Sequence, residues 1–175
     1  MTDEEPQFAP IIEQILEGRG VSAIRIPETN QRTPDYLITL PKRNVLLELK
    51  IKGDDHSDIA ESLATMQSGG IASRSKPLRY MNNASGVISY GSKQMIEHDP
   101  AGNCHHVLWL HASGHDAHAY EEQLRFTLYG TQRLVSQKRP DLIHCFFFHD
   151  SEFWRHRQTL AAAFVSSWSP RGGLG

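Results

Sequence analysis

The sequence has few cysteines, no long apolar run and little net charge. Its two cysteines, Cys104 and Cys145, lie far apart, which excludes the disulfide framework that stabilises many small secreted domains. No stretch reaches the roughly 18 apolar residues of a membrane-spanning helix. The acidic N-terminus, residues 1–5, lacks the basic-then-apolar order of a signal peptide. We therefore expect a cytoplasmic protein with no membrane partner.

The charged residues are unevenly distributed, although the formal net charge is −2. Residues 62–96 contain no aspartate or glutamate but include Arg74, Lys76, Arg79 and Lys93. Affinity for nucleic acid depends largely on lysine and arginine side chains that neutralise phosphates. These four residues are therefore candidate substrate contacts, and a set of scattered solvated charges is the alternative interpretation.

Apolar periodicity predicts one α/β domain over residues 1–168 and a disordered tail over residues 169–175. The predicted helices cover residues 8–16, 85–97, 119–132 and 153–165, with another that runs from a cap at Asp55 or Ser57 to Met66. The predicted strands cover residues 21–26, 36–40, 45–51, 106–111 and 142–148. The short turn between the second and third strands predicts an antiparallel hairpin.

The third predicted strand carries two charged residues in an apolar background. Side chains alternate across a strand, so Glu48 and Lys50 share one face while Leu47 and Leu49 point to the other. Charges in such a place are costly unless they are paired or bind a metal. We therefore expect the functional site here. The alternative is a solvent-facing pair, with Asp35 capping a turn.

The predicted hairpin would bring Asp35, at the start of the second strand, close to Glu48. Mg²⁺ prefers oxygen ligands, commonly one or two carboxylates. A bound divalent cation offsets the charge of a phosphodiester and lowers the pKa of an attacking water. We therefore predict that Asp35, Glu48 and the Leu49 carbonyl bind Mg²⁺ or Mn²⁺. Lys50 would orient the water or stabilise the charge that develops in the transition state.

The same residues carry a resemblance to a known family. Pro34-Asp35, a spacer of twelve residues and Glu48-Leu49-Lys50 resemble the motif of the PD-(D/E)xK nuclease superfamily. The resemblance implies a restriction-endonuclease-like core of order α-β-β-β-α-β, in which helices flank a central mixed β-sheet. It also implies divalent-metal-dependent hydrolysis of phosphodiester bonds.

The resemblance implies further site residues outside the hairpin. Members of the superfamily often contribute an acidic residue from the first helix, for which Glu13 is the candidate and Glu5 the alternative. Many also place a glutamine or lysine on the helix after the third strand, and Lys93-Gln94 is similar to that pattern. Gln94 is therefore added to the predicted catalytic residues.

Three functions are compatible with these observations. The first is a nuclease that acts on DNA more than RNA, with a homodimer as a plausible assembly. The second is a catalytically inactive protein of the same fold that serves as a nucleic-acid-binding or assembly module. The third is a zinc protein that uses His111, His115 and His118, with Cys104 just upstream. For the third, ordinary loop histidines are the favoured interpretation.

Overall fold

A mixed sheet with helices on both faces organises the chain. The computed structural model describes residues 5–27, 33–73, 75–136, 139–169 and 173–174. The helices are α1 (Glu5–Glu17), α2 (His56–Gln67), α3 (Asn82–His98), α4 (Ala117–Tyr129) and the short α5 (Glu152–Arg155), with a 3₁₀ turn at Phe148–Asp150. The strands are β1 (Ala23–Arg25), β2 (Tyr36–Ile38), β3 (Val45–Lys52), β4 (His105–Ser113), β5 (Thr131–Ser136), β6 (Arg139–Phe146), β7 (Leu160–Ser169) and β8 (Gly173–Leu174).

The strand order of the main sheet is β1-β2-β3-β4-β7-β8. The first three strands form an antiparallel meander, and β3–β4 and β4–β7 are parallel pairs. Strands β5 and β6 form a separate two-stranded hairpin. The α/β class and the mixed central sheet flanked by helices are therefore confirmed. The predicted order α-β-β-β-α-β is followed from α1 to β4, with α2 as an extra helix before α3.

Two apolar clusters fix the helices on opposite faces of the sheet. One cluster joins Ile12 of α1 to buried residues of the meander and β4: Tyr36, Ile38, Val45, Leu47, Leu49 and Val107. The other joins the opposite face of β4 to α3 and α4, and it includes Leu108, Leu110, Ile88, Met95, Leu124 and Leu128. Because strand side chains alternate, Glu48 and Lys50 point toward the layer that contains α3.

Two aspartates organise the loop after β3. Asp55 caps α2, because its side chain accepts a hydrogen bond of 2.9 Å from the Ser57 N–H. The neighbouring Asp54 is buried and accepts hydrogen bonds from the N–H groups of His115 (2.6 Å) and Asp116 (3.2 Å). The loops that follow the parallel strands β3 and β4 are therefore tied together by one carboxylate.

The C-terminal third differs from the sequence-based expectation. The helix predicted at 153–165 is wrong, because α5 ends at Arg155 and residues 160–169 form β7 in the main sheet. Alanine-rich residues 161–163 favour a helix locally, but parallel pairing with β4 overrides that preference. The strand predicted at 142–148 exists as β6, but it lies in the separate hairpin rather than in the central sheet.

The end of the chain also pairs with the sheet. Gly173 and Leu174 form β8 opposite Ser169 and Trp168, inside the segment for which the sequence predicts disorder. Across the described ranges, no helix combines the length and the apolar character that crossing a bilayer requires.

Substitution of Gly130 tests whether the end of α4 requires a glycine. It adopts φ of 64°, and a Cβ there would collide with the Phe147 carbonyl oxygen and lie 2.9 Å from the Ser151 nitrogen. Gly102 has φ of 65°, but a Cβ at that position would meet only open space. We expect Gly102→Ala to lower the free energy of unfolding by about 1 kcal/mol, from backbone strain alone. Gly130→Ala should lower it by about 3 kcal/mol, because the collision adds to that strain. Urea denaturation measures both, and equal losses would contradict this account.

Candidate functional site

Asp35 is held against the third strand by its side chain. The register of β2 with β3 pairs Tyr36 with Leu47, so Asp35 and Glu48 form the next opposed positions. The Asp35 carboxylate oxygen Oδ2 accepts a hydrogen bond of 2.7 Å from the Leu49 N–H. The sequence-predicted hairpin thus brings Asp35 to the Glu48-Leu49-Lys50 segment.

Glu48 and Lys50 form an ion pair under α3. The Lys50 ammonium contacts Glu48 Oε1, and the Glu48 side chain has no exposed surface, whereas 17% of the Lys50 side chain is exposed. The Lys50 Nζ also lies 5.4 Å from the centroid of the Tyr90 ring. A solvent-facing pair is therefore excluded. The carboxylate lies in the protein interior, and the lysine that contacts it is partly exposed.

A glycine of α3 lies directly over this pair. A Cβ at Gly91 would lie 3.0 Å from Leu108 Cδ1, 3.3 Å from Glu48 Cγ and 3.8 Å from Lys50 Cε. The first two distances are tighter than ordinary van der Waals contact. The missing side chain therefore lets α3 approach β3 closely enough to cover the charged pair.

Gln94 lies one helical turn after Tyr90 and is buried. Its side-chain amide donates a hydrogen bond to the Thr33 carbonyl, immediately before Pro34-Asp35. The structure thus places Gln94 beside the segment that carries Asp35. Its catalytic role stays a prediction.

Glu13 contacts a different part of the sheet. The Tyr36 hydroxyl donates a hydrogen bond of 3.5 Å to Glu13 Oε1, and Tyr36 belongs to the apolar cluster under α1. Burial and the nearby Glu13 carboxylate raise the pKa of Tyr36 to about 12. This contact lies on the α1 side of the sheet, whereas Glu48 and Lys50 point to the α3 side. The side chain of Glu5, the alternative acid, lies outside the described residues.

Lys52 was not among the sequence-predicted site residues. It shares the strand face of Glu48 and Lys50, so the same alternation that selected those two would have found it. Its ammonium lies 5.0 Å from the Tyr120 ring centroid and 3.5 Å from Gln123 Oε1. Burial and the neighbouring Lys76 ammonium lower the pKa of Lys52.

The predicted basic contacts differ in their surroundings in the structure. Lys76 donates hydrogen bonds to the Tyr120 hydroxyl (3.0 Å) and to Asp58 Oδ2 (3.2 Å), and the first of these contributes most to its raised pKa. Arg79 and Lys93 are exposed, whereas Arg74 lies outside the described residues. Lys76 is therefore already neutralised by an acidic neighbour, and the others keep their predicted role as an untested expectation.

The histidines do not assemble into a metal centre. Within the described residues, no group of three or more histidine, cysteine, aspartate or glutamate side chains could hold a metal ion. His111 shares a hydrogen bond of 2.8 Å with the Ser166 hydroxyl, and His106 contacts Asp99 at 3.3 Å. These contacts favour ordinary structural histidines over the zinc hypothesis. At the candidate site, the oxygen donors are the Asp35 and Glu48 carboxylates and the Leu49 carbonyl.

Comparison with known proteins gives little further information. No protein-family model matches the chain, and no curated protein matches it. Among solved structures, it is similar to SfsA of Pyrococcus furiosus in complex with Ca²⁺, with a TM-score of 0.35 and 14% sequence identity. The alignment covers 98% of this chain and 60% of SfsA, so the chain spans about 60% of that protein's length. A likeness this distant carries no argument about function.

Two glycines of α3 provide a matched test of the packing over the site. A Cβ at Gly86 would meet nothing within 4 Å, whereas one at Gly91 would press on Leu108 and Glu48. We expect Gly86→Ala to stabilise the helix by about 0.5–1 kcal/mol and to raise the Tm by roughly 2 °C. Gly91→Ala should instead lower the Tm by a similar amount, because crowding outweighs the gain in helix propensity. Thermal unfolding followed by circular dichroism measures both, and a stabilised Gly91→Ala protein would show that the contact is loose.

Proposed function

We propose that this protein is a divalent-metal-dependent nuclease of the PD-(D/E)xK type, which hydrolyses phosphodiester bonds in DNA rather than RNA. The observation that carries the proposal is the hydrogen bond from the Leu49 N–H to the Asp35 carboxylate. It joins the two halves of the motif in space, beside a buried Glu48–Lys50 pair. A cytoplasmic location and a homodimeric assembly belong to the same proposal.

The donor set suits a hard cation. Two carboxylates and a backbone carbonyl are the oxygen ligands that Mg²⁺ and Mn²⁺ accept, with water completing the coordination shell. The Asp35 oxygen Oδ2 accepts a hydrogen bond from the Leu49 N–H, and this bond orients the carboxylate. Hydrogen bonds of this kind commonly orient the ligands of a metal ion. Asp35, Glu48 and the Leu49 carbonyl would hold the ion. When bound, the ion would offset phosphate charge and lower the pKa of a water.

The side chains around the carboxylates have separate roles in this proposal. Lys50, partly exposed beside Glu48, orients the attacking water or stabilises charge on the phosphate. Gln94 holds the Thr33 carbonyl and so positions the loop that carries Asp35. The covering α3 limits the access of bulk water, which strengthens electrostatic interactions at the site. Glu13 contacts Tyr36 on the opposite side of the sheet, and a catalytic role for it stays a prediction.

One observation favours a second candidate function. The Glu48 side chain has no exposed surface and is already neutralised by Lys50. A carboxylate in that state also suits an inactive protein of the same fold, in which the pair stabilises the core and the surface binds nucleic acid or assembles with other proteins. Metal binding separates the two candidates, because an inactive module requires none.

Substitution of Lys50 tests whether the protein cleaves DNA by the proposed mechanism. Lys50→Ala should reduce the rate of metal-dependent DNA cleavage by about 100-fold, because charge on the phosphate loses its stabilising ammonium. Lys42→Ala is the matched control, since Lys42 is exposed in the turn before β3. Cleavage of a labelled duplex and of a labelled single strand in Mg²⁺ and Mn²⁺ buffers measures the rates.

A second variant guards against loss of the fold. Removing Lys50 takes away the ammonium that neutralises buried Glu48 and can destabilise the protein by about 3–5 kcal/mol. Asp35→Asn preserves size and an oxygen acceptor for the Leu49 N–H, and it should also reduce cleavage by about 100-fold. Parent-like cleavage by both folded variants would refute the nuclease mechanism.

Substitution of Glu48 tests whether this carboxylate binds a divalent metal ion. Isothermal titration calorimetry with Mn²⁺ should detect binding to the parent protein and at least a tenfold weaker affinity in Glu48→Gln, because one carboxylate ligand is lost. Glu97→Gln, which changes an exposed residue near the end of α3, should bind as the parent does. Absence of Mn²⁺ binding by the folded parent would favour the non-catalytic candidate.

A further inference from the structure

A cavity of about 480 Å³ lies at the N-terminal ends of β4 and β7. Its walls come from the turn before β3, the end of α3 and the loops that precede these two strands, and they include Arg43, Asp99, His105, His106 and Arg157. His106 is paired with Leu46, two positions before the pair of Leu108 with Glu48. Strand alternation therefore places His106 on the same face of the sheet as Glu48.

A planar cation lies at the rim of this cavity. The Arg157 guanidinium carbon lies 4.3 Å from the centroid of the Trp154 ring, and Nη1 donates a hydrogen bond of 2.7 Å to the Trp154 carbonyl. The centroid of the Phe148 ring lies 5.0 Å from that of Trp154, and the two ring planes are tilted by 39°. Both rings remain substantially exposed, 46% for Trp154 and 62% for Phe148. Arg157 therefore presents an exposed guanidinium group that packs over the Trp154 ring.

The charge of the cavity walls suits a polyanion. Arg43, Arg157 and the exposed His105 lie around it. The Asp99 carboxylate accepts hydrogen bonds from the N–H groups of Asn103 (3.0 Å) and Cys104 (2.7 Å) and contacts His106. The acidic wall residue is thus occupied by the protein's own donors. Arg43 donates hydrogen bonds to the Asn103 and Gly102 carbonyls, which carry no charge that would neutralise the guanidinium group.

His106 lines the cavity with a ring that is almost wholly buried. The residue is 6% exposed, its Nε2 contacts Asp99, and its Nδ1 has no hydrogen-bond partner in the part of the chain that is described. A buried polar atom without a partner is costly. The Nδ1 atom has almost no accessible surface, so the ring supplies part of the cavity wall rather than a contact that a ligand could reach.

We propose that this cavity binds an unpaired nucleobase of a single-stranded nucleic acid. Bases that are free of a duplex stack on arginine and aromatic planes and expose hydrogen-bonding edges. The base would stack on Arg157, and its phosphates would lie near Arg43. The proposal rests on the nuclease function above and deepens it, because it assigns single-stranded DNA as the substrate class.

The test measures binding without cleavage. Fluorescence anisotropy with a labelled oligothymidylate in EDTA gives the affinity of each protein. Arg157→Ala and Trp154→Leu should bind about tenfold more weakly than the parent, as expected for the loss of one stacked base. Arg157→Lys keeps the charge without the planar group, so it should lose most of the same affinity.

Matched controls separate stacking from general charge and from misfolding. Arg19→Ala removes an exposed arginine in the turn after α1, and Phe164→Leu removes an aromatic ring that is 54% exposed on the α1 face of β7. Both should bind as the parent does. An abasic oligonucleotide of the same length should bind the parent about tenfold more weakly than the thymidine strand.

The outcomes distinguish this inference from the proposed function. If the parent binds the thymidine strand and the abasic strand equally, the base site is refuted even when cleavage is confirmed. The same holds if Arg157→Lys and Trp154→Leu bind the thymidine strand as the parent does. If the parent discriminates against the abasic strand but cleaves nothing in Mn²⁺, the base site stands and the nuclease proposal fails. A parent that binds no oligonucleotide refutes the base site, and the patch would then suit a protein partner.

Discussion

A buried carboxylate and its ammonium partner impose the main constraint on this fold. Glu48 lies on a central strand with no exposed surface, and removing a carboxylate from water costs several kcal/mol unless a partner compensates it. Lys50 supplies the compensation from the same strand face, two residues later. The close approach of α3 at Gly91 completes the enclosure. The burial of Glu48 therefore depends on two further features. Strand alternation places Lys50 beside it, and the glycine at position 91 lets α3 cover both residues.

Where local pattern and tertiary packing agree, the sequence was sufficient to predict the structure. The alternation of Leu47, Glu48, Leu49 and Lys50 predicted both faces of β3, and the apolar spacing of α1 predicted the layer beneath it. Asp35 followed from hairpin geometry, because a short turn fixes which residues oppose each other. The residues at the centre of the candidate site could be predicted from the sequence for the same reason.

Prediction failed where long-range pairing decided the outcome. Residues 161–163 are alanines, which favour a helix, yet they lie in a strand that is paired along its length with β4. No local signal reports a partner about fifty residues away. Glu13 illustrates the same limit, because helical spacing could place it on α1 but not reveal that Tyr36 is its contact. Lys52 was missed although the alternation that identified Lys50 applies to it equally.

The β5–β6 hairpin implies that the molecule opens in parts rather than all at once. Among the described strands, these two pair with each other alone, and Val135, Leu142 and Phe146 are more than half exposed on them. An isolated two-stranded ribbon is marginally stable in water, whereas β3 and β4 are hydrogen-bonded on both edges and covered on both faces. Amide protons of the ribbon therefore exchange through local opening at a small free-energy cost, while those of the central strands require global unfolding. The unit that carries Glu48 and Lys50 stays closed while this ribbon opens and reforms.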